Sequence, residues 1–314
     1  MATPPVFYPP GAIIMSSRRT SERRAFLKPT NDVIQAYSYC LGYLVEKHGL
    51  LLHGANLVMT HDHKLVTDPH GDRLPHFNRD FNSLVARCLN CHYGRWEHFW
   101  APGGPGDLEV APFPEDVIDK LAYVLTNPVK DGLIERTTKW PALIGHPAFL
   151  GRQEIRVRRP DWFFSPDGEM PDWVTLRPVL PRVRGLNEEE VRRLLLERCG
   201  QVESDAARRR EVAGRPVLGV KRAKRRSHLA IPSTKATRRN LKPTVACKNG
   251  RLRALYLEYR KARDARHREA LAEFRAGRRD VQFPVGIWLL PVLNGCERAP
   301  WGAPVWDMDP VAPP

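Results

Sequence analysis

The spacing of hydrophobic residues along the first 150 positions predicts an alternation of strands and helices. Apolar residues recur every three or four positions in three segments, which predicts amphipathic helices over 31–48, 77–89 and 114–127. Four other segments are apolar and β-like: 11–15, 50–59, 61–67 and 108–110. The resulting order, β-α-β-β-α-β-α, favours an α+β fold in which an antiparallel sheet is covered by helices. Pro128 is expected to end the third helix.

The positive charge of the chain is concentrated in its second half. Of 50 basic and 35 acidic residues, 15 of each lie within 1–150, which leaves 35 basic and 20 acidic residues in 151–314. We therefore divide the chain into a domain at 1–150 and a basic, mainly helical C-terminal extension at 151–314. A strongly basic segment predicts a polyanionic partner, usually nucleic acid, although a solvated basic surface has the same composition. The densest cluster comprises Lys221, Arg222, Lys224, Arg225 and Arg226.

The extension has weaker patterns than the first domain. Residues 153–180 are rich in proline and tryptophan and predict an irregular connector. Asn187 and Glu190 have the spacing of a capping box that begins a helix. A further amphipathic helix is predicted over 250–276, followed by a strand at 281–290. The basic stretch 220–242 either contacts phosphates or forms a disordered tail.

The sequence shows no membrane-spanning or secretory segment. No apolar run is long enough to cross a bilayer, and the N-terminus lacks a charged start followed by an apolar stretch. The six cysteines are mostly dispersed, as is typical of reduced thiols in a cytosolic protein. We therefore expect a cytoplasmic protein with no membrane partner, present as a monomer or a dimer.

Two histidines begin the second strand of the central hairpin. His61 and His63 are two residues apart, so in a strand their side chains point to the same face. Two imidazoles on one face can share an ion or hold a phosphate, although two unrelated polar histidines at a turn give the same pattern. A tyrosine and an asparagine one turn apart, Tyr123 and Asn127, lie off the apolar stripe of the third helix. They are expected to project from its solvent-facing side.

Three motifs, with their order and spacing, resemble a known family. They are V-M-T-H-D-H-K-L-V-T-D at 58–68, G-R-W-E-H-F-W at 94–100, and L-A-Y-V-L-T-N-P-V-K-D-G-L-I-E at 121–135. Across roughly residues 10–150 the chain resembles the REP-associated tyrosine transposases of the single-tyrosine HUH transposase superfamily. The resemblance implies a ferredoxin-like sheet and cleavage of single-stranded DNA near hairpins.

The resemblance also implies a set of site residues. Tyr123 would be the nucleophile, and His61, His63 and Asn127 would hold Mg²⁺ or Mn²⁺. Asp62 stands where the family has a hydrophobic residue, so it is a further candidate ligand. Attack by the tyrosine would leave a 5′-phosphotyrosine and a free 3′-hydroxyl. A catalytically degenerate protein that only binds DNA or RNA, and a metal-dependent phosphodiesterase that uses water, are the alternatives.

Other residues suggest contacts with nucleic acid or a different metal. The basic and aromatic candidates for DNA contact in the first domain are Arg18, Arg19, Arg95, Trp96 and Lys120. Cys88, Cys91 and His92 have the spacing of a haem attachment site, and with His98 they form a weak zinc candidate. Structural thiols explain these cysteines better, because Cys88 fits the apolar stripe of its helix.

Overall fold

The computed structural model describes residues 7–104, 106–232, 243–287, 294–301 and 306. The helices are α1 (Asn31–His48), α2 (Leu74–His92), α3 (Pro114–Lys130), α4 (Glu188–Val212), α5 (Val220–Arg225) and α6 (Gly250–Arg275). The strands are β1 (Ile13–Arg19), β2 (Leu51–Val58), β3 (His61–Thr67), β4 (Leu108–Val110), β5 (Leu143–Ile144), β6 (Ile155–Arg158), β7 (Trp173–Leu176) and β8 (Val245–Ala246). The elements from β1 to α3 follow the predicted order, which confirms the α+β fold class.

The main sheet has six strands in the order β5-β2-β3-β1-β4-β8. Its four central strands are antiparallel and have the ferredoxin-like order β2-β3-β1-β4. The sheet as a whole is mixed rather than purely antiparallel, because β8 from the second half pairs parallel with β4. The second half of the chain thus extends the sheet formed by the first half, while the division at residue 150 stays a prediction.

Helices cover both faces of the sheet. The side chains of α1 and α2 pack with alternate sheet residues such as Leu57 and Val66 in one hydrophobic cluster. The apolar stripe of α3 packs with Leu65 and β4 on the opposite face, where α4 adds Val191 and Leu195. Because successive strand residues point to opposite faces, β3 contributes side chains to both layers. The histidines of β3 lie on the α3 side.

Helix α3 continues through Pro128 to Lys130, so the expectation that Pro128 ends the helix is wrong. A proline lacks the N–H that would donate to the carbonyl four residues earlier, here that of Val124. The buried side chain of Asn56 on β2 replaces this donor: its Nδ2 lies 3.3 Å from the Val124 oxygen and 3.1 Å from the Leu125 oxygen. The same contact ties α3 to the sheet beside His63, the partner of Asn56 in the β2–β3 pairing.

A buried ion pair lies on the other face of β3. Lys64 donates to Asp62 at 2.6 Å, and both side chains are almost inaccessible to water. Asp62 also accepts hydrogen bonds from the Tyr37 hydroxyl at 2.7 Å and from the Arg18 backbone N–H at 2.9 Å. The Lys64 ammonium lies 4.7 Å from the centre of the Phe81 ring. The opposite charges of Asp62 and Lys64 therefore neutralise each other on the face of the sheet that α1 and α2 cover.

The second half contains more regular structure than expected in one region and less in another. Residues 153–180 include the antiparallel hairpin of β6 and β7, which corrects the prediction of an irregular connector. The capping box of Asn187 and Glu190 forms at the start of α4, and α6 covers the predicted helix at 250–276. Residues 281–287 contain no strand, while 288–290 lie outside the described residues.

Within the basic stretch 220–242, residues 220–225 form α5, and 233–242 lie outside the described residues. Across the described ranges, no helix has the length and apolar character needed to cross a membrane.

The bond from Asn56 to α3 is tested by a double-mutant cycle. We expect Asn56→Leu to lower the free energy of unfolding by about 2 kcal/mol, because the buried Val124 carbonyl loses the donor that replaces the Pro128 N–H. Pro128→Ala restores a backbone N–H that can donate to Val124, so in that background Asn56→Leu should cost about 1 kcal/mol less. Denaturant unfolding of the four proteins measures this coupling. Strictly additive effects would contradict the role assigned to Asn56.

The buried ion pair is tested by removing one charge. Asp62→Ala removes the carboxylate to which the buried Lys64 ammonium donates, so we expect a loss of about 3–5 kcal/mol in the free energy of unfolding. The double variant Asp62→Leu with Lys64→Met should lose less than Asp62→Ala alone. As a control, Glu135→Ala removes an exposed partner of Lys139 and should leave the free energy of unfolding nearly unchanged. A loss from Asp62→Ala as small as the control would refute the pair's burial.

Candidate active site

The structure brings His61, His63 and Tyr123 together between β3 and α3. The imidazole centres of His61 and His63 are 4.8 Å apart. The ring of Tyr123 lies 5.2 Å from that of His63, at an interplanar angle of 76°. Strand alternation brings the two histidines to one face, and the Asn56 contact holds α3 against the same part of the sheet. Asn127, one helical turn after Tyr123, joins the group.

Several polar atoms in this group are buried without partners. Both ring nitrogens of His63 and the side-chain oxygen of Asn127 are inaccessible to water, and no described residue forms a hydrogen bond to them. The His61 ring has one hydrogen-bond partner among the described residues, the Thr60 hydroxyl, which lies 3.1 Å from its Nδ1. Buried polar atoms normally have partners, because an unsatisfied group costs free energy. An amide oxygen suits Mg²⁺ and Mn²⁺, and imidazole nitrogens bind Mn²⁺ more readily than Mg²⁺, so this donor set fits a divalent cation and favours Mn²⁺.

Burial controls the protonation of the group. It lowers the pKa of His63 well below the usual value, and nearby positive charge from His61, Lys64 and Lys130 adds to the effect. Burial also lowers the pKa of His61, although Asp131 opposes the shift. Metal binding requires the neutral form of histidine, which these environments favour.

Burial raises the pKa of the Tyr123 phenol, and the Asp131 carboxylate raises it further. The nearby polar side chain of Asn127 opposes this increase in the pKa of Tyr123. The tyrosine is therefore held in its protonated form. Positive charge near the phenol would favour its ionisation.

Two lysines supply positive charge beside Tyr123. The Lys130 ammonium lies 4.5 Å from the centre of the tyrosine ring, and that of Lys120 lies 5.9 Å away. The sequence analysis did not identify Lys130 as a site residue. Its position seven residues after Tyr123 nevertheless places both side chains on one face of α3. Burial lowers the pKa of Lys130, and the charges of Arg198, Lys120 and Arg209 add to this effect. Helix α4 thus contributes positive charge to the tyrosine side of the site.

Two sequence expectations about the site are corrected. Asp62 is not part of the histidine group, because strand alternation directs it to the opposite face, where Lys64 and Tyr37 satisfy its carboxylate. Asn127 does not project into solvent but is 3% exposed, while Tyr123 is half-buried. The side of α3 that carries polar residues therefore packs against the sheet at the histidines.

The candidate DNA-contacting residues separate into groups. Arg19 and Arg226 line the same cavity as His61, and Lys120 lies near Tyr123. Arg18 donates to the Gly103 carbonyl. Arg95 stacks over Phe26, and the neighbouring Trp96 is 87% exposed. Lys221, Arg222, Lys224 and Arg225 belong to α5.

The cysteine-rich segment forms no comparable centre. Cys88 is buried against Cys40, whereas Cys91 is exposed on the same helix. His92 packs against the Tyr93 and Trp162 rings. Within the ranges described above, no three histidine, cysteine or acidic side chains converge as a metal site would require. The histidine group by β3 differs in that its third potential donor is the amide of Asn127.

Comparisons with known proteins give a distant structural resemblance. No protein family and no curated protein matches the sequence. A solved structure of a REP-associated tyrosine transposase bound to a REP hairpin aligns with a TM-score of 0.38 and 17% sequence identity. The alignment covers 46% of this chain and 82% of that chain. A likeness of this size carries no argument about function.

Two buried histidines allow a matched test of the site. His53 has both ring nitrogens bonded, to the Val179 carbonyl and the Thr67 hydroxyl, each at 2.9 Å. His53→Leu breaks both bonds, so we expect the free energy of unfolding to fall by about 1–3 kcal/mol. His63→Leu removes two unpartnered polar atoms and should leave stability unchanged or raise it by about 1 kcal/mol.

Denaturant unfolding in the presence of EDTA measures both effects without bound metal. Equal losses for the two variants would show that His63 has a structural role like that of His53.

Proposed function

We propose that the protein cleaves and rejoins single-stranded DNA near hairpins, with Tyr123 as the nucleophile. The supporting observation is the position of Tyr123, whose ring lies 5.2 Å from a buried histidine with no hydrogen-bond partner among the described residues. The sequence motifs that resemble REP-associated tyrosine transposases supply the same residues. A half-buried tyrosine beside imidazoles, an amide and two lysines suits phosphoryl transfer to a phenol oxygen.

In the proposed reaction the Tyr123 oxygen attacks the scissile phosphorus in line with the leaving 3′-oxygen. The bond from phosphorus to the 3′-oxygen breaks as the bond to tyrosine forms, which yields a 5′-phosphotyrosine and a free 3′-hydroxyl. The phenol releases its proton to solvent, and the 3′-oxygen takes up a proton. Attack of a 3′-hydroxyl on the phosphotyrosine reverses the step, so strand transfer requires no ATP.

The surrounding residues prepare the phenol for this step. The Asn127 side chain, one turn further along α3, lowers the pKa of the Tyr123 phenol and so favours its ionised form. The Lys130 cation, 4.5 Å from the ring centre, stabilises the phenolate against the effect of burial.

His61, His63 and the Asn127 oxygen would hold Mg²⁺ or Mn²⁺. A bound divalent cation would polarise the phosphate and reduce the negative charge on its oxygens.

A non-catalytic nucleic-acid-binding protein is the second candidate. Two observations favour it. Residues 151–314 contain 35 basic but only 20 acidic residues. Burial also raises the pKa of Tyr123, which keeps the phenol protonated. Basic segments bind phosphates without regard to sequence. A protein of this kind would bind hairpin DNA with a strong salt dependence and form no covalent product.

The proposal is tested by trapping the covalent intermediate. The protein is mixed with labelled DNA hairpins that have randomised unpaired flanks, in the presence of Mn²⁺, and separated under denaturing conditions. We expect a protein–DNA adduct that Tyr123→Phe abolishes and EDTA prevents. Tyr43→Phe is the matched control, because Tyr43 is also half-buried with a lysine, Lys47, 5.9 Å from its ring.

Each alternative predicts a different result in this experiment. Binding without an adduct under any metal would favour the non-catalytic protein. Cleavage without a protein-linked product would indicate a phosphodiesterase that uses water. An adduct that persists in Tyr123→Phe would show that a different residue is the nucleophile.

A further inference from the structure

A cavity of about 580 Å³ opens beside His61 and is lined by both halves of the chain. The first half contributes Arg19, Met59, His61 and Asp131, and the extension contributes Arg226 and Ile231, among other residues. A volume of this size is typical of sites that hold a small ligand. The cavity adjoins the candidate active site, because His61 belongs to both.

Backbone hydrogen bonds position the extension at this cavity. The Leu218 and Gly219 N–H groups donate to the carbonyls of Gly132 and Leu133, at 2.9 and 2.8 Å. At the other end of the segment, the Ala25 N–H donates to the Ala230 carbonyl at 3.0 Å. Segment 218–232 is therefore attached both to the loop after α3 and to the loop before α1. Leu218, Arg226 and Ala230 of this segment line the cavity, together with Ile231 directly after the second attachment.

The lining combines two kinds of chemistry. Arg19 and Arg226 enter from opposite halves of the chain, and arginine matches the geometry of phosphate oxygens. Apolar side chains of Met59 and Ile231 lie on the same lining and offer contact for the flat face of a base. Two cationic side chains and two apolar side chains on one lining correspond to the phosphate and the base of one nucleotide.

We propose that this cavity binds one unpaired nucleotide of the DNA, next to the phosphate that Tyr123 attacks. Arg19 and Arg226 contact the backbone phosphate, and the base lies against Met59 and Ile231. The extension is then part of the substrate-binding site and determines which unpaired nucleotide is accepted beside the cut. This inference rests on the proposed function, since the cavity's relation to a scissile phosphate depends on Tyr123 being the nucleophile.

The test measures binding separately from cleavage. Fluorescence anisotropy gives Kd for hairpin oligonucleotides with an abasic site at each unpaired position in turn, using the Tyr123→Phe protein so that no adduct forms. We expect one abasic position to weaken binding about tenfold, because a stacked base is lost. Ile231→Ala in the same protein should weaken binding of the intact oligonucleotide and abolish the additional loss at that position. Ile231 is 49% exposed, so its truncation leaves the fold intact.

Arg226→Gln and Arg225→Gln form the matched charge pair. Both remove one positive charge at the end of α5, but only Arg226 lines the cavity. We expect Arg226→Gln to weaken binding about tenfold and Arg225→Gln to change it less than threefold. With Tyr123 intact, the sensitive abasic position should be the nucleotide beside the cleaved phosphate.

The outcomes separate this inference from the proposed function. If the adduct forms but no position is coupled to Ile231, and the two arginine variants behave alike, the nucleotide site is refuted while the proposed function stands. If one position is coupled to Ile231 but no adduct ever forms, the nucleotide site stands and the nuclease is refuted. A sensitive position remote from the cut would overturn the placement of the nucleotide.

Discussion

The candidate site depends on two hydrogen bonds from one buried amide. Asn56 donates to the Val124 and Leu125 carbonyls at 3.3 and 3.1 Å. The first of these carbonyls is free because Pro128 lacks the N–H that would otherwise occupy it. This exchange of donors allows α3 to continue past the proline while fixing it to the sheet. Since Asn56 pairs with His63 across β2 and β3, the same contact sets the distance between the histidines and Tyr123.

Strand β3 presents side chains of different chemistry to the two faces of the sheet. Its odd-numbered histidines lie under α3, where burial lowers their pKa. The nitrogens of His63 form no hydrogen bond with any residue that the structure describes. Its even-numbered residues, Asp62 and Lys64, form a compensated pair beneath α1 and α2. A one-residue shift of β3 would bury the histidines among aromatic rings and expose the ion pair to α3. The buried pair therefore opposes such a shift and stabilises the orientation of the histidines.

Much of the first domain follows from local pattern, because its helices and strands have clear periodicity. The order of elements, the strand at 61–67 and the common face of His61 and His63 were predictable in this way. The continuation of α3 past Pro128 was not predictable. A proline usually marks the end of a helix, and the donor that replaces its missing N–H comes from Asn56, which is distant in the sequence. The role of Asp62 was also not predictable from local pattern. A carboxylate between two histidines suggests a metal ligand, but in the structure its oxygens accept hydrogen bonds from Lys64 and Tyr37.

The extension was harder to predict for a related reason. Its hairpin at β6 and β7 is short and rich in proline and tryptophan, so its register comes from packing against α1 rather than from alternation. Its backbone contacts with residues 132–133 and 25 join segments 86 and 205 positions apart, and no local pattern encodes them. The position of Lys130 beside Tyr123, in contrast, could have been predicted, because the two residues are seven positions apart on one helix.

We propose that β3 and α3 together present His61, His63 and Asn127 to one divalent cation beside Tyr123. A crystal structure of the protein grown with Mn²⁺ and measured for anomalous scattering tests it most directly. We expect a single strong anomalous peak at coordination distance from the three side chains, with the Tyr123 hydroxyl facing it. No peak there, together with His63 hydrogen-bonded to protein groups or turned away from Tyr123, would contradict it.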